Sequence, residues 1–315
     1  MHWYLLRVLV ACALVIAGTA VRAAPPRVVA SVAPVQSLVA GVMTGIGTPY
    51  LLVPGGQSPH SFALAPSDTR ALANADVIVA ASPVSEHFLE RPLASLARAA
   101  EQVWMAQLPD AIRLVARSGG AAQPHDHGNQ DGDEAHVPAG SAHLDPHLWL
   151  DPRNAVALTR AMGELLARLD PQHAGTYRAN AADQVHRLRA LDERLGARLA
   201  PLADRPYLVF HDAYQYFERR YRLSYAGAVT VDPGRSPGAR RLAELRERVR
   251  DEGIQCLFVE PQFEPRLARV IAEGTGIRVA TLDPLGAGIE PGPGLYFELM
   301  RGMAEGFRGC LLDDG

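Results

Sequence analysis

The sequence predicts an α/β protein of two lobes, each a parallel sheet covered by helices, joined by one long linking helix. Three observations predict it. Short, continuous apolar runs alternate with longer amphipathic ones, which is how strands buried on both faces read. The alternation pauses at a helical run free of internal proline, Pro171 to Leu199, and then resumes. The chain has 315 residues, 48% hydrophobic and 21% charged, enough for two modest cores.

The first 23 residues read as a cleaved export signal. Arg7 supplies a charge, Val8 to Gly18 is apolar, and Val21-Arg22-Ala23 has the small-x-small cleavage pattern. Leu9-Val10-Ala11-Cys12 imitates a lipoprotein site, but only four apolar residues separate Arg7 from Cys12. The apolar run is too short to span a bilayer, so no membrane insertion of the mature chain is expected. The mature chain is expected to be exported and soluble.

The first lobe is expected over residues 24–169. Val28 to Val32 is a strand and Val35 to Val42 a helix, stopped by a Gly-rich turn. Tyr50 to Val53 is a strand ending at Pro54-Gly55-Gly56. Ser67 is the expected N-cap of a helix over Asp68 to Asn74. Val77 to Ala81 is a buried strand; a helix and a strand over Gln102 to Met105 follow. Residues 118–143 form a Gly-, Pro-, His- and Asp-rich loop with almost nothing apolar larger than Val. A helix over Asn154 to Leu169 closes the lobe, and residues 170–200 hold the linking helix.

The second lobe is expected over residues 201–315. Its strands are Tyr207 to Phe210, Cys256 to Val259 and Arg278 to Leu282. Its helices are Asp212 to Tyr221, Pro237 to Arg250 and Pro265 to Glu273. No sequence repeat relates the two halves. Removing the signal leaves Cys256 and Cys310, an even pair that suggests a disulfide in an oxidising compartment. Closing a loop of that length is worth about 4 kcal/mol.

A net charge of -3 argues against a dedicated nucleic-acid binder, which would show a strongly basic domain. Four positions stand out as chemistry: His60 after the strand Tyr50 to Val53, His147, His211 and Asp283, the last two directly following strands. Carboxyl ends of parallel strands are where open sheets bind ligands. Two lobes facing each other by those ends would bring all four into one cleft. Three imidazoles and one carboxylate are a tetrahedral zinc set, and a nitrogen-rich site suits zinc better than manganese or magnesium. Taken singly, each histidine also fits a cap or a satisfied polar residue, and Asp283 before Pro284 fits a turn former. Asp212 fits an N-cap or an acceptor for an imidazole N–H.

The loop holds His125, His127, His136 and His143 among Asp126, Asp131, Asp133 and Glu134, a composition that collects metal weakly. In His143-Leu144-Asp145-Pro146-His147, the collecting segment is expected to end at Asp145-Pro146 and the fixed site to begin at His147, anchored by Leu148-Trp149-Leu150. No His-Glu-x-x-His helix, Gly-x-Ser-x-Gly elbow or phosphate loop occurs. Glu260 ends a strand and reads as a partner of a ligand rather than a base beside a metal-bound water.

These motifs together resemble the zinc-specific periplasmic binding proteins of bacterial ABC importers, the ZnuA type. The resemblance rests on Ser58-Pro59-His60-Ser61-Phe62, Pro66-Ser67-Asp68, the His-rich loop and His147-Leu148-Trp149-Leu150. It continues with Val209-Phe210-His211-Asp212-Ala213-Tyr214, Phe258-Val259-Glu260-Pro261-Gln262-Phe263 and Thr281-Leu282-Asp283-Pro284-Leu285-Gly286. It implies a metal held between the lobes by His60, His147 and His211, and the third imidazole implies zinc, since manganese-binding relatives carry Glu at that position. It also implies the Cys256–Cys310 disulfide. Some members use a Glu just before the first histidine as fourth ligand; Pro59 stands there, which leaves Asp283 or water, with Asp283 favoured. The implied activity is non-enzymatic: a periplasmic monomer that captures Zn²⁺ and passes it to the ABC permease. A zinc hydrolase and a metal-binding adhesin or buffer of the same fold are the rival readings.

Overall fold

Eight short strands with almost wholly apolar interiors set the architecture of this computed structural model, which describes residues 24–117, 144–230, 238–263 and 266–312. The expected export signal (1–23) and the expected His-rich loop (118–143), with His125, His127, His136 and His143, lie outside those residues.

In the first lobe, β1 (Val28–Val32), β2 (Tyr50–Val53), β3 (Val77–Ala80) and β4 (Glu101–Trp104) form a parallel sheet in the order β2-β1-β3-β4. Helices α1 (Ala33–Val42), α2 (Pro66–Ala73) and α3 (Glu90–Ser95) lie between successive strands, and α4 (Pro152–Leu169) and α5 (Ala174–Leu199) follow. The second lobe uses β5 (Tyr207–His211), β6 (Tyr225–Thr230), β7 (Cys256–Val259) and β8 (Arg278–Thr281), again all parallel, in the order β6-β5-β7-β8. Its helices are α6 (Gln215–Tyr221), α7 (Ala239–Asp251), α8 (Arg266–Ala272) and α9 (Leu295–Leu311). The strand order is therefore the same in both lobes, a repeat that the sequence does not betray.

Strand alternation decides which side chains face the inter-lobe region. In β5, Tyr207 and Val209 join the main core, whereas Leu208 and Phe210 join a smaller core under α7 and α8. With period two, His211 falls on the main-core side. In β7, Cys256 and Phe258 take that same side, so Glu260 follows them. The β5–β7 register pairs Val209 with Phe258, which sets His211 beside Glu260 two residues further on.

The two lobes share packing. Helix α5 touches α1, α4, α6 and α9, and α9 returns to α1, where Tyr296 N–H donates to Ser37 Oγ at 2.9 Å. Trp149 Nε1–H donates to the Pro284 carbonyl at 2.8 Å, and Tyr296 O–H to the Trp149 carbonyl at 2.8 Å. The Cys256–Cys310 disulfide joins β7 to α9, with Cα atoms 6.2 Å apart.

Three local expectations change. Ser67 is not the cap of α2: the helix starts two residues earlier, on Pro66, and the Asp68 carboxylate accepts the Ala65 N–H at 2.7 Å. Proline suits that first helical position because its missing N–H costs no bond there. Asp212 caps no helix, since α6 begins only at Gln215. Strand β6 and helix α9 are additional to the elements named from the sequence.

Candidate metal centre

Each histidine reaches the centre by a different route. His60 sits in a single 3-10 turn, Pro59–Ser61, started by Ser58, whose hydroxyl accepts the His60 N–H at 3.3 Å. His147 precedes a 3-10 turn, Leu148–Leu150, whose three side chains are all buried. That turn is locked from behind by Asn154, which donates to the Leu148 carbonyl at 3.0 Å and accepts the Ile112 N–H at 2.7 Å. His211 is the last residue of β5.

The three converge. Among the described residues, His60, His147 and His211 are the one group of three or more metal-binding side chains with donor atoms all within 4.8 Å of one another. His60 Nε2 and His147 Nε2 are 3.5 Å apart. Two nitrogens bound tetrahedrally at 2.0–2.1 Å would be separated by about 3.3 Å, so the spacing is close to that of a chelated ion. The free space of the pocket they line admits about one water-sized body.

Two carboxylates orient two of the rings. His147 Nδ1 lies 2.8 Å from Asp145 Oδ1, which also accepts the His147 backbone N–H at 3.0 Å. His211 Nδ1 lies 3.2 Å from Glu260 Oε1, which also accepts the Tyr214 hydroxyl at 3.1 Å. When Nδ1 carries the proton toward a carboxylate, Nε2 keeps its lone pair for a metal and the ring is fixed in orientation. Glu260 therefore stands as the partner of a ring, as the sequence suggested. Asp145 corrects the sequence reading: it is 3% exposed and belongs to the fixed site, with Leu144 wholly buried beside it.

Electrostatics separates the two buried rings. Burial, reinforced by the neighbouring His211, drives His147 down to about 3, so it is neutral at any physiological pH. Burial also pulls on His211, but the Glu260 carboxylate, with Asp212 and Asp145 behind it, outweighs that and raises it above the ordinary histidine value. Burial pushes Asp145 up to about 7.

Asp283 stands outside the three-histidine group. Its Oδ1 accepts the backbone N–H groups of Leu285 at 3.1 Å and Gly286 at 2.8 Å, closing the turn after β8. Asp212 turns instead to other partners: it pairs with Arg117 at 2.7 Å and takes the Tyr225 hydroxyl at 3.2 Å. Sequence reasoning passed over Arg117 and Tyr216 altogether. The signal for both is only three-dimensional, because each joins segments far apart in the chain.

Comparison with known proteins identifies the family of the chain. Residues 28–310 match the family model described as ZnuA, zinc-uptake complex component A, periplasmic. A high-affinity zinc uptake system protein ZnuA of Brucella abortus (strain 2308) is 38% identical over 304 residues, covering 90% of this chain and 91% of the relative. The protein of the same name from Paracoccus denitrificans (strain Pd 1222) is 38% identical over 314 residues, covering 96% of each. That from Yersinia pestis is 33% identical over 292 residues. Among solved structures, a crystal structure of ZnuA superposes with a TM-score of 0.74 at 24% identity, covering 91% of this chain and 99% of that one. The solute-binding protein FpvC of Pseudomonas aeruginosa, in complex with Mn²⁺, superposes with a TM-score of 0.75 at 23% identity, covering 92% and 99%. At these identities the two structures establish the fold.

Proposed function

The chain belongs to the ZnuA family of periplasmic zinc-uptake components, and from that premise we propose that it captures Zn²⁺ on His60, His147 and His211 and delivers it to the permease of an ABC importer. The observation that carries the assignment is the convergence of the three imidazoles in one small pocket, with the Nδ1 atoms of two of them turned to buried carboxylates. Such a site offers imidazole nitrogen donors, which suit zinc, and no soft sulfur.

Asp283 is the fourth ligand in this reading. Its carboxylate is already oriented by two backbone N–H bonds, as ligating carboxylates commonly are. Reaching the ion requires it to close on the histidine trio, because it stands outside that group in this conformation. The protein works as an exported monomer, and the His-rich loop collects metal weakly through His125, His127, His136 and His143. The capture reading is favoured over zinc-dependent hydrolysis by Glu260: its Oε1 faces His211 and Tyr214, which suits the partner of a ligand better than a base beside a metal-bound water.

The test is competitive zinc titration of single alanine variants. His60→Ala, His147→Ala and His211→Ala should each abolish tight binding, His143→Ala should leave it intact, and Asp283→Ala should weaken it. Tight binding that survives loss of His211, or that vanishes with His143 alone, would overturn the ligand set.

A further inference from the structure

His147 and His211 belong to different segments of the chain, and a chelate needs their spacing fixed. One side chain ties those segments together by charge. Arg117 lies in the segment Ile112 to Arg117, whose Val115 makes an antiparallel bridge with Leu144 and whose Leu114 carbonyl accepts the Asp145 N–H at 2.9 Å. It is thus attached through backbone bonds to the segment that carries Asp145 and His147. At its other end the guanidinium enters the second lobe: Nη1 meets Asp212 Oδ1 at 2.7 Å and Nη2 meets Glu218 Oε2 at 2.5 Å. Its Cζ lies 3.7 Å from the centre of the Tyr225 ring, and the Tyr225 hydroxyl donates to the other oxygen of Asp212 at 3.2 Å. Asp212 is the residue that follows His211.

We propose that Arg117 is a positioning residue for zinc: by holding Asp212 it sets the distance between the His147 and His211 rings and so slows release of the ion. The inference rests on the zinc-binding reading above. The surroundings give the pairing its strength. The side chains of Asp212 and Glu218 are 6% and 2% exposed, and that of Arg117 is 17% exposed. A planar fork can serve two carboxylates and lie on an aromatic face at once, which a lysine ammonium cannot. Tyr216 fastens the same two segments without charge: its hydroxyl donates to the Asp145 carbonyl at 3.0 Å and accepts the Leu114 N–H at 3.1 Å. Tyr216 reaches only the His147 side, whereas Arg117 reaches the residue next to His211.

For Arg117→Met, charge alone gives the opposite expectation; for Arg117→Lys it gives no change. Removing a cation near a cation site should favour zinc, and removing a rivet should loosen it. The account requires the loosening to win. The experiment compares Arg117→Lys, Arg117→Met and Asp212→Asn with the full-length protein, using zinc release to a chelator, the visible spectrum of the cobalt(II)-loaded form and thermal unfolding. The expected result is faster zinc dissociation in Arg117→Lys and Asp212→Asn, by about 10-fold, the lower end of what loss of a direct partner of a metal ligand costs. The cobalt spectrum should change with it, and one ion per chain should still bind. Should Arg117→Met not fold, the lysine variant, which keeps the charge and loses the fork, decides. Variants with lowered melting temperature but wild-type dissociation and cobalt spectrum would overturn the proposal. That outcome leaves the ligand assignment standing, because the assignment fails only if the wild-type protein or the histidine variants behave otherwise than stated above.

Discussion

Gly55 and Ala287 meet backbone to backbone across the two lobes. A Cβ placed on Gly55 would stand 2.8 Å from Ala287 Cα, closer than real side chains approach. Gly55 follows β2, three residues before Ser58, and Ala287 is two residues past Leu285; Ser58 and Leu285 both line the histidine pocket. The closeness of the lobes at the metal centre therefore depends on the missing side chain.

Gly55→Val is expected to push the lobes apart at this point, since the obstructing atom is backbone and cannot rotate away. Zinc should dissociate faster, with the three histidines intact and the melting temperature of the metal-free protein little changed. Stopped-flow chelator competition beside a thermal melt checks this.

Asp145→Asn removes the carboxylate that holds the His147 ring. The expected loss of zinc affinity is about 10- to 100-fold, the usual cost of losing such a partner. Isothermal titration measures it, and circular dichroism should show an unaltered fold.

Zinc binding should release protons, from His211, whose value is raised, and from Asp145, which burial pushes up to about 7. A ring whose value is raised in the folded metal-free protein keeps its proton to higher pH than a free imidazole, and a protonated ring cannot ligate. Affinity should therefore fall as pH drops through that raised value, while His147, held near 3, contributes nothing to the dependence in this range. The sign for the metal-free fold is opposite: the His211–Glu260 pairing stabilises it below the unfolded value of about 6.5 and is lost as pH rises through the raised one. Titration in two buffers of different ionisation heat counts the protons released.

Replacing Cys256 and Cys310 by serine opens a loop of 54 residues between β7 and α9. The chain-entropy relation puts the loss at about 4 kcal/mol. Denaturant unfolding should show it as an earlier midpoint.

Much of this was legible in the sequence because strands buried on both faces announce themselves. Cys256–Val259 has the bounds that its apolar run suggests, and His60, His147 and His211 stand out because two adjoin strand or apolar-turn signals and one follows a Pro-Gly-Gly break. Strand β6, Tyr-Ala-Gly-Ala-Val-Thr, was harder: its small residues resemble a loop, and only pairing with β5 makes it a strand. Helix α9 carries Gly302, Gly306 and Gly309, which dilute its helical signal. The structure shows why one of them is there: a Cβ on Gly306 would fall 2.6 Å from Leu282 Cδ2 and 3.2 Å from the Thr281 carbonyl, where α9 lies against the end of β8. The supporting shell was least legible. Asp145 reads as the tail of a polar loop, and Arg117 as an ordinary arginine, until tertiary contacts bury them.

X-ray absorption at the zinc edge of the loaded protein tests the central claim most directly. Three imidazoles should give nitrogen scatterers at about 2.0–2.1 Å with the outer-shell signature of three histidine rings, plus one oxygen at about 2.0–2.2 Å. A sulfur scatterer, or an oxygen-rich shell with fewer than three imidazoles, would contradict the account.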